Sequence, residues 1–275
     1  MSVTVRRHPA GKRGAVAEIM LDRPAAMNAL DTAMATRLLA VCEQLAADPE
    51  IRAVLVSAAG ARAFCVGADL KERGRMTDEG FLRQREVFRA TFGSVLGLPQ
   101  PSVAAVHGYA LGGGCELALC CDLIVAEETA VFGLPEVTVG LVPGGGGTQL
   151  TLRRIGPARA ADLVLTGRRV GAAEAGRIGL ADRLVSAGSA HSHALELATQ
   201  IAGNSPVAVR AAKRALRRGW GTAIETGLEI EDAAWRTAAF SADRKEGIAA
   251  FNEKRPPDWP AGPEAVPEPD PAGGG

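Results

Sequence analysis

The chain has 275 residues, 47% apolar and 23% charged, and its 31 basic and 31 acidic side chains give a formal net charge of zero. That length supports one large domain with an ample core, and the balanced charge offers no global field for nucleic acid or an anionic membrane, so an acidic ligand needs a local Arg/Lys cluster. No apolar run approaches the roughly 20 residues that span a bilayer, and Arg6, Arg7, Lys12 and Arg13 stand near the start without a secretory apolar stretch, so a soluble cytoplasmic protein is expected.

Ala15–Leu21 alternates apolar and small residues like a strand, and Asp22-Arg23-Pro24 closes it with a turn. Thr32–Ala47 carries Leu38, Leu39, Val41, Cys42 and Leu45 at helical spacing until Asp48-Pro49 stops it. Ala53–Ser57 is a short buried strand. The recurrence of Phe81, Val87, Phe88, Phe92 and Val95 predicts a helix over Asp78–Leu98, and Val103–Val106 and Leu123–Val125 are further buried strands. Strands alternating with helices predict an α/β core with right-handed crossovers. From Ser189 the pattern turns wholly helical, with Pro206 at the head of one helix and two more over Thr222–Ala239 and Arg244–Lys254. The expected division is a core over 1–188, a helical C-terminal subdomain over 189–255, and a disordered tail over 256–275, which holds seven prolines and ends in three glycines. No internal repeat is visible.

Charge distribution supplies the chemical signal. Between Arg89 and Asp122 the only ionisable acid or base apart from His107 is Glu116, and between Glu128 and Arg153 the only charged residue is Glu136. A carboxylate set among apolar residues and glycines is desolvated, which raises its pKa and marks it for acid or base work. The competing structural reading pairs each Glu with a core Arg or places it at a helix cap. Tyr109–Gly114 links a buried strand to an apolar helix that starts near Gly113, where the first backbone N–H groups lack internal partners and the helix dipole is positive. Gly113 and Glu116 are three apart, so one helical turn sets a backbone donor beside a carboxylate; close helix–strand packing is the plainer reason for such a glycine run. The run Gly144–Gly147 is not followed by the Lys of a P-loop, and Gly112–Leu117 lacks dinucleotide-fingerprint spacing. Five cysteines without CxxC spacing and four scattered histidines offer no metal-ligand pattern. Neither metal nor redox cofactor is expected.

Five segments together resemble the enoyl-CoA hydratase (crotonase) superfamily: Arg23-Pro24 with Asn28-Ala29-Leu30; Phe64–Glu72; Gly108–Ala118; Pro143–Gln149; and Phe251–Arg255. They cover residues 3 to 256 in the family's order and spacing. The resemblance implies a spiral of ββα units with a C-terminal helical subdomain, trimers built through those helices, and often hexamers formed as dimers of trimers. It implies an acyl-coenzyme A substrate whose thioester oxygen sits between the N–H groups of Ala68 and Gly113. Ala68, Asp69, Leu70 and Lys71 would line the coenzyme A site with Ala26 near the adenine or pantetheine, and Phe251 and Lys254 would reach a neighbour's coenzyme A. Glu116 and Glu136 match the two glutamates of the hydratases, which favours addition of water to an enoyl thioester over double-bond isomerisation. Leu150 and Leu134 depart from common Arg and Gln at those positions. Lys71-Glu72-Arg73 and Arg75-Met76 look most like methylglutaconyl-CoA hydratases, so Arg73 or Arg75 is expected to meet a second carboxylate, whereas a plain short-chain substrate would find an apolar pocket lined by Leu98 and Leu134. Arg210, Lys213, Arg214, Arg217 and Arg218 form a basic stripe, read as a solvated face or a phosphate contact; RNA binding is the rival class, though no nucleic acid partner is expected.

Overall fold

The computed structural model describes residues 2–260. In chain order the elements are β1 (Val3–Ala10), β2 (Gly14–Leu21), α1 (Thr32–Ala47), β3 (Ile51–Ala58), β4 (Ala63–Cys65), α2 (Leu70–Arg73), α3 (Asp78–Leu96), β5 (Ser102–Val106), β6 (Tyr109–Leu111), α4 (Gly113–Cys120), β7 (Leu123–Glu127), β8 (Val131–Gly133), α5 (Gly147–Ile155), α6 (Pro157–Thr166), β9 (Arg169–Gly171), α7 (Ala172–Ile178), β10 (Arg183–Val185), α8 (Ala190–Ala202), α9 (Pro206–Gly219), α10 (Ile224–Ala239) and α11 (Ala242–Asn252), with single 3-10 turns over Pro24–Ala26 and Pro135–Val139. One sheet has the order β1-β2-β3-β5-β7-β10 and is parallel except for the β1–β2 hairpin; the second has the order β4-β6-β8-β9. The strand pairs β3/β4, β5/β6 and β7/β8 each deliver one strand to either sheet before the chain moves into helix or 3-10 turn. The result is a spiral of ββα-like turns.

The continuous apolar runs follow from burial on both faces of the larger sheet. Along β3, Val54 and Val56 point into the core between the sheets, while Ala53 and Leu55 point the other way, under α8. β5 repeats this, with Ala104 and Val106 on the inner face and Val103 and Ala105 on the outer. β1 is an edge strand, and its exposed Arg6 and Arg7 guard the open ladder. Local caps fix the helix starts: Asp31 accepts from Met34 N–H at 2.8 Å, Thr77 from Gly80 N–H at 3.2 Å, and Ser205 from Ala208 N–H at 3.0 Å with Pro206 following.

Two buried polar clusters lock helices onto this sheet. Glu18, 1% exposed on β2, accepts from Ser57 Oγ at 2.6 Å and meets His8 Nε2 and His191 Nε2 at 2.8 Å each, tying α8 to the hairpin. Burial pushes this carboxyl up, but those three partners outweigh it and hold the pKa below the usual range. Asp122 pairs with Lys213 and Arg217 of α9 at 2.7 Å each; Lys213 also donates to Gln100 O, and Arg217 to Leu96 O and Cys120 O. Arg210 donates to Ile51 O at 2.9 Å. The basic stripe is thus neither a solvated face nor a phosphate contact at those three positions, because its cations dock α9 onto the core.

Several further expectations are corrected. The α3 helix stops at Leu96 because Gly97 caps it, and Leu98 then turns into the core at 2% exposure. The Tyr109–Gly114 linker contains the short strand β6. Residues 256–260, at the head of the segment expected to be disordered, are held: Trp259 Nε1 donates to Gly203 O at 2.7 Å, Arg52 donates to Trp259 O at 3.2 Å, and Asp258 N–H donates to Glu246 at 2.6 Å. Residues 261–275 lie outside the described residues. Among the described residues no helix is long and apolar enough to cross a membrane.

Candidate active site

The parallel pairing of β4 with β6 sets Cys65 opposite Ala110. Three residues beyond each partner stand Ala68 and Gly113, so successive turns of the spiral bring two backbone segments to the same level. Gly67 makes the approach possible: it has φ 87°, and a Cβ there would stand 2.9 Å from Gly113 N. Neighbouring groups are spent, since Leu30 N–H donates to Gly67 O and Asp69 N–H to Leu30 O, a pairing that runs past Ala68 rather than through it. Gly113 opens α4, where N–H groups have no partner within the helix. Both residues line a cavity of about 330 Å³.

Glu116 and Glu136 line the same cavity. Glu116, in the first turn of α4, is 3% exposed, and its Oε1 accepts from Gly145 N–H and Gly147 N–H at 2.7 Å each. Any larger side chain at residue 147 would collide, because a Cβ there would lie 2.8 Å from that oxygen. Burial raises the Glu116 pKa, while the two N–H donors and the guanidiniums of Arg85 and Arg73 pull it back. Glu136 sits in the 3-10 turn after β8. Its Oε2 is buried without a hydrogen-bond partner among the described residues, and burial together with the nearby Glu116 pushes the carboxyl up to about 7. Both carboxyls are thus shifted up, but they differ in what holds them: Glu116 Oε1 accepts from two backbone donors, whereas Glu136 Oε2 has no partner among the described residues.

The remaining wall is apolar, from Leu70, Phe81, Phe88, Phe92, Val139 and Val142, with two cations, Arg73 and Arg85. Of the other sequence candidates, Ala26, Asp69, Lys71, Arg75, Phe251 and Lys254 are absent from this lining. Asp69 is occupied as the cap of α2, accepting from Lys71 N–H and Glu72 N–H, and as the partner of Arg23 at 3.2 Å. Lys71, Arg75, Phe251 and Lys254 are exposed, Phe251 at 83%. Leu98 and Leu134 do not line the pocket either, being 2% and 0% exposed within the core. Arg85 was not among the sequence candidates. Its signal lay in the stripe Phe81, Arg85, Phe88 and Phe92, one helical face whose members all reach the cavity. Burial pushes the thiols of Cys65 and Cys115 up to about 12, so neither is a thiolate at neutral pH.

Two backbone donors beside two carboxyl groups whose pKa values are raised form a set that can stabilise a thioester enolate and move protons around it. A model of the enoyl-CoA hydratase/isomerase family matches residues 11–262. The chain belongs to that family. Similar proteins include the 2,3-dehydroadipyl-CoA hydratase of Escherichia coli (strain K12), 41% identical over 88% of this chain and 93% of its own length. Another is the mouse (Mus musculus) mitochondrial enoyl-CoA hydratase domain-containing protein 2, 42% identical over 90% of this chain and 86% of its own. An enoyl-CoA hydratase structure from Bacillus anthracis superposes with TM-score 0.90 at 40% identity, covering 94% of this chain and 99% of its own; Pseudomonas aeruginosa DspI gives 0.88 at 36%, covering 94% and 97%. The α/β spiral with its C-terminal helical region is the crotonase fold of this family.

Proposed function

We propose that the protein hydrates the 2,3-double bond of an enoyl-CoA thioester. The observation that carries this reading is the pair of glutamates on one cavity, Glu116 held by two backbone donors and Glu136 with an unpartnered buried oxygen, next to the backbone of Ala68 and Gly113. The Ala68 and Gly113 N–H groups donate to the thioester oxygen and bind it more tightly as it gains enolate character; one such donor is worth about 3–4 kcal/mol of barrier. Glu116, ionised, takes a proton from water as the oxygen attacks Cβ, and the π electrons move toward the thioester oxygen. Glu136, neutral, returns a proton to Cα as the enolate collapses. Transfer of the captured proton from Glu116 to Glu136 resets the pair. Such acid–base help is worth roughly 10²–10⁴-fold.

The test is turnover of a panel of trans-2-enoyl-CoA thioesters, followed by loss of their conjugated ultraviolet absorption and by product analysis. A 3-hydroxyacyl-CoA product is expected. A shifted double bond without incorporated oxygen would make the protein an isomerase instead. Assembly as a trimer or hexamer belongs to the same proposal, supported by large apolar side chains left exposed on α9 to α11, among them Leu216, Trp235 and Phe251.

A further inference from the structure

Two segments far apart in sequence meet beside the cavity at a single bridge, where Leu30 lies parallel to Ala68. Leu30 N–H donates to Gly67 O at 2.8 Å, and Leu30 O accepts from Asp69 N–H at 2.9 Å. Both bonds belong to the residues on either side of Ala68, so the Ala68 N–H is turned away from Leu30. It lies toward Gly113, where a Cβ would stand 3.8 Å from Ala68 N. The bridge is outside every strand of the two sheets, so no longer ladder fixes its direction.

Arg23 spans this bridge. Its Nη1 meets Asp31 Oδ2 at 3.1 Å and its Nη2 meets Asp69 Oδ2 at 3.2 Å, so one planar fork joins the residue after Leu30 to the residue after Ala68. The other oxygen of each carboxylate is spent on its own helix. Asp31 Oδ1 accepts from Met34 N–H at the start of α1, and Asp69 Oδ1 from Lys71 N–H and Glu72 N–H at the start of α2. Arg23 is set in turn by Asn28, fully buried, whose Oδ1 accepts from Arg23 N–H at 2.8 Å. Asn28 Nδ2 donates to Ala59 O and to Ala63 O at 2.9 Å each, which ties the cluster to β4, the strand that leads to Ala68. Neither Arg23 nor either aspartate lines the cavity. The fold has other supports here: Glu72 accepts from Thr32 N–H at 3.0 Å and from Gln84 Nε2 at 2.9 Å, so α2 stays docked on α1 and α3 without Arg23. Partly exposed ion pairs contribute little to stability, whereas a displacement of about 1 Å near the reacting atoms can cost about a hundredfold in rate.

We infer that Arg23 positions the proposed oxyanion donor: by holding Asp31 and Asp69 on one fork it fixes the Leu30–Ala68 bridge, and through the bridge the direction of the Ala68 N–H. Arg23 touches no reacting atom, so it is a positioning residue. The inference rests on the enoyl-CoA hydratase reading through the assignment of Ala68 as a donor to the thioester oxygen.

The test compares affinity for acetoacetyl-CoA, which an oxyanion site binds as its enolate, with affinity for butyryl-CoA, which has the same chain length and forms no enolate near neutral pH. Near-ultraviolet absorption reports the bound enolate directly. The native protein is expected to favour acetoacetyl-CoA. Arg23→Met should lose about ten- to a hundredfold of that preference, with weaker enolate absorption, while butyryl-CoA affinity changes by less than about twofold. In turnover of crotonyl-CoA the same variant should lower kcat and leave KM in place. Arg23→Lys, a point charge that cannot serve both carboxylates as a fork does, should recover the preference only in part. Asp31→Asn keeps an oxygen to cap α1 and loses the ion pair; it should shift the preference in the same direction, and it carries the test if Arg23→Met does not fold. Equal losses for the two ligands, or an unchanged preference in a folded variant, would overturn the inference. A native protein with no preference would remove Ala68 and Gly113 as oxyanion donors, and the inference with them. Failure to hydrate crotonyl-CoA would instead remove the hydratase reading and leave the affinity comparison standing, since that comparison involves no carbon–carbon double bond in either ligand supplied.

Discussion

Glu116 and Glu136 differ in what holds them, and substitution should separate the two. Glu116→Gln keeps an oxygen for the Gly145 and Gly147 N–H groups but loses the proton acceptor; Glu136→Gln keeps the size and loses the proton donor. Each is expected to fold normally and to lose at least about a hundredfold in hydration rate; near-normal activity in either would remove that residue from the mechanism. Glu136 also sets a pH dependence. With its pKa pushed up to about 7, the protonated form proposed to donate to Cα is depleted as pH rises, so kcat/KM should fall through that range in the native protein. Stability follows the same sign. The folded state holds this proton more tightly than the unfolded chain, so the Glu136 contribution is complete below the ordinary carboxylate range and is lost as pH rises toward 7. Glu136→Gln, which cannot ionise, should therefore melt above the native protein at pH 8.5, and the gap should narrow toward pH 5.

At the scale of elements, α9 is fastened to the sheet by charge. Asp122→Ala would leave Lys213, 8% exposed, without its carboxylate; a loss of about 3 kcal/mol in a urea titration is expected. The same docking predicts that any RNA affinity is weak, with a salt slope near zero. These helices also show what a single chain discloses. The two glutamates were legible because each is a lone charge in a long uncharged run, and the ββα alternation was legible from runs of buried strand residues separated by helical spacing. Arg85 was not, because Arg83, Glu86 and Arg89 surround it with ordinary surface charge, and only the three-dimensional stripe with Phe81 and Phe88 shows which cation faces inward. The three-residue strands β6, β8 and β9 are shorter than any period that sequence can display, and Leu98 and Leu134 carry no mark that distinguishes core from pocket wall. Lys213 and Arg217 looked like surface because their partner, Asp122, lies about ninety residues away in sequence.

For the whole molecule, the C-terminal segment closes onto the first strands. Trp259 caps Gly203, Asp258 approaches Lys12 and Arg13 at 3.5 Å and 3.6 Å, and Arg52 reaches Trp259 O. A chain ended after Arg255 should melt several degrees below one ended after Pro260, since it loses all of these contacts. A chain ended before Ala242 removes α11 as well, and with it the proposed contact between neighbouring copies; light scattering should then show a smaller assembly, and an active monomer would argue against that assembly.

The two proposed oxyanion donors belong to the main chain, at equivalent steps of adjacent spiral turns. Mutational scanning is therefore nearly blind to them: every residue except proline supplies the same N–H, so replacements at 68 and 113 report steric tolerance and say little about the hydrogen bond. The group is reached by changing the backbone itself. Semisynthesis that puts an ester in place of the amide preceding Gly113 deletes one N–H while leaving every side chain intact, and a fall of roughly a hundredfold or more in turnover is expected. A one-residue insertion between Cys65 and Ala68 should act on the same group by another route, moving one donor out of step with its partner while both glutamates stay in place.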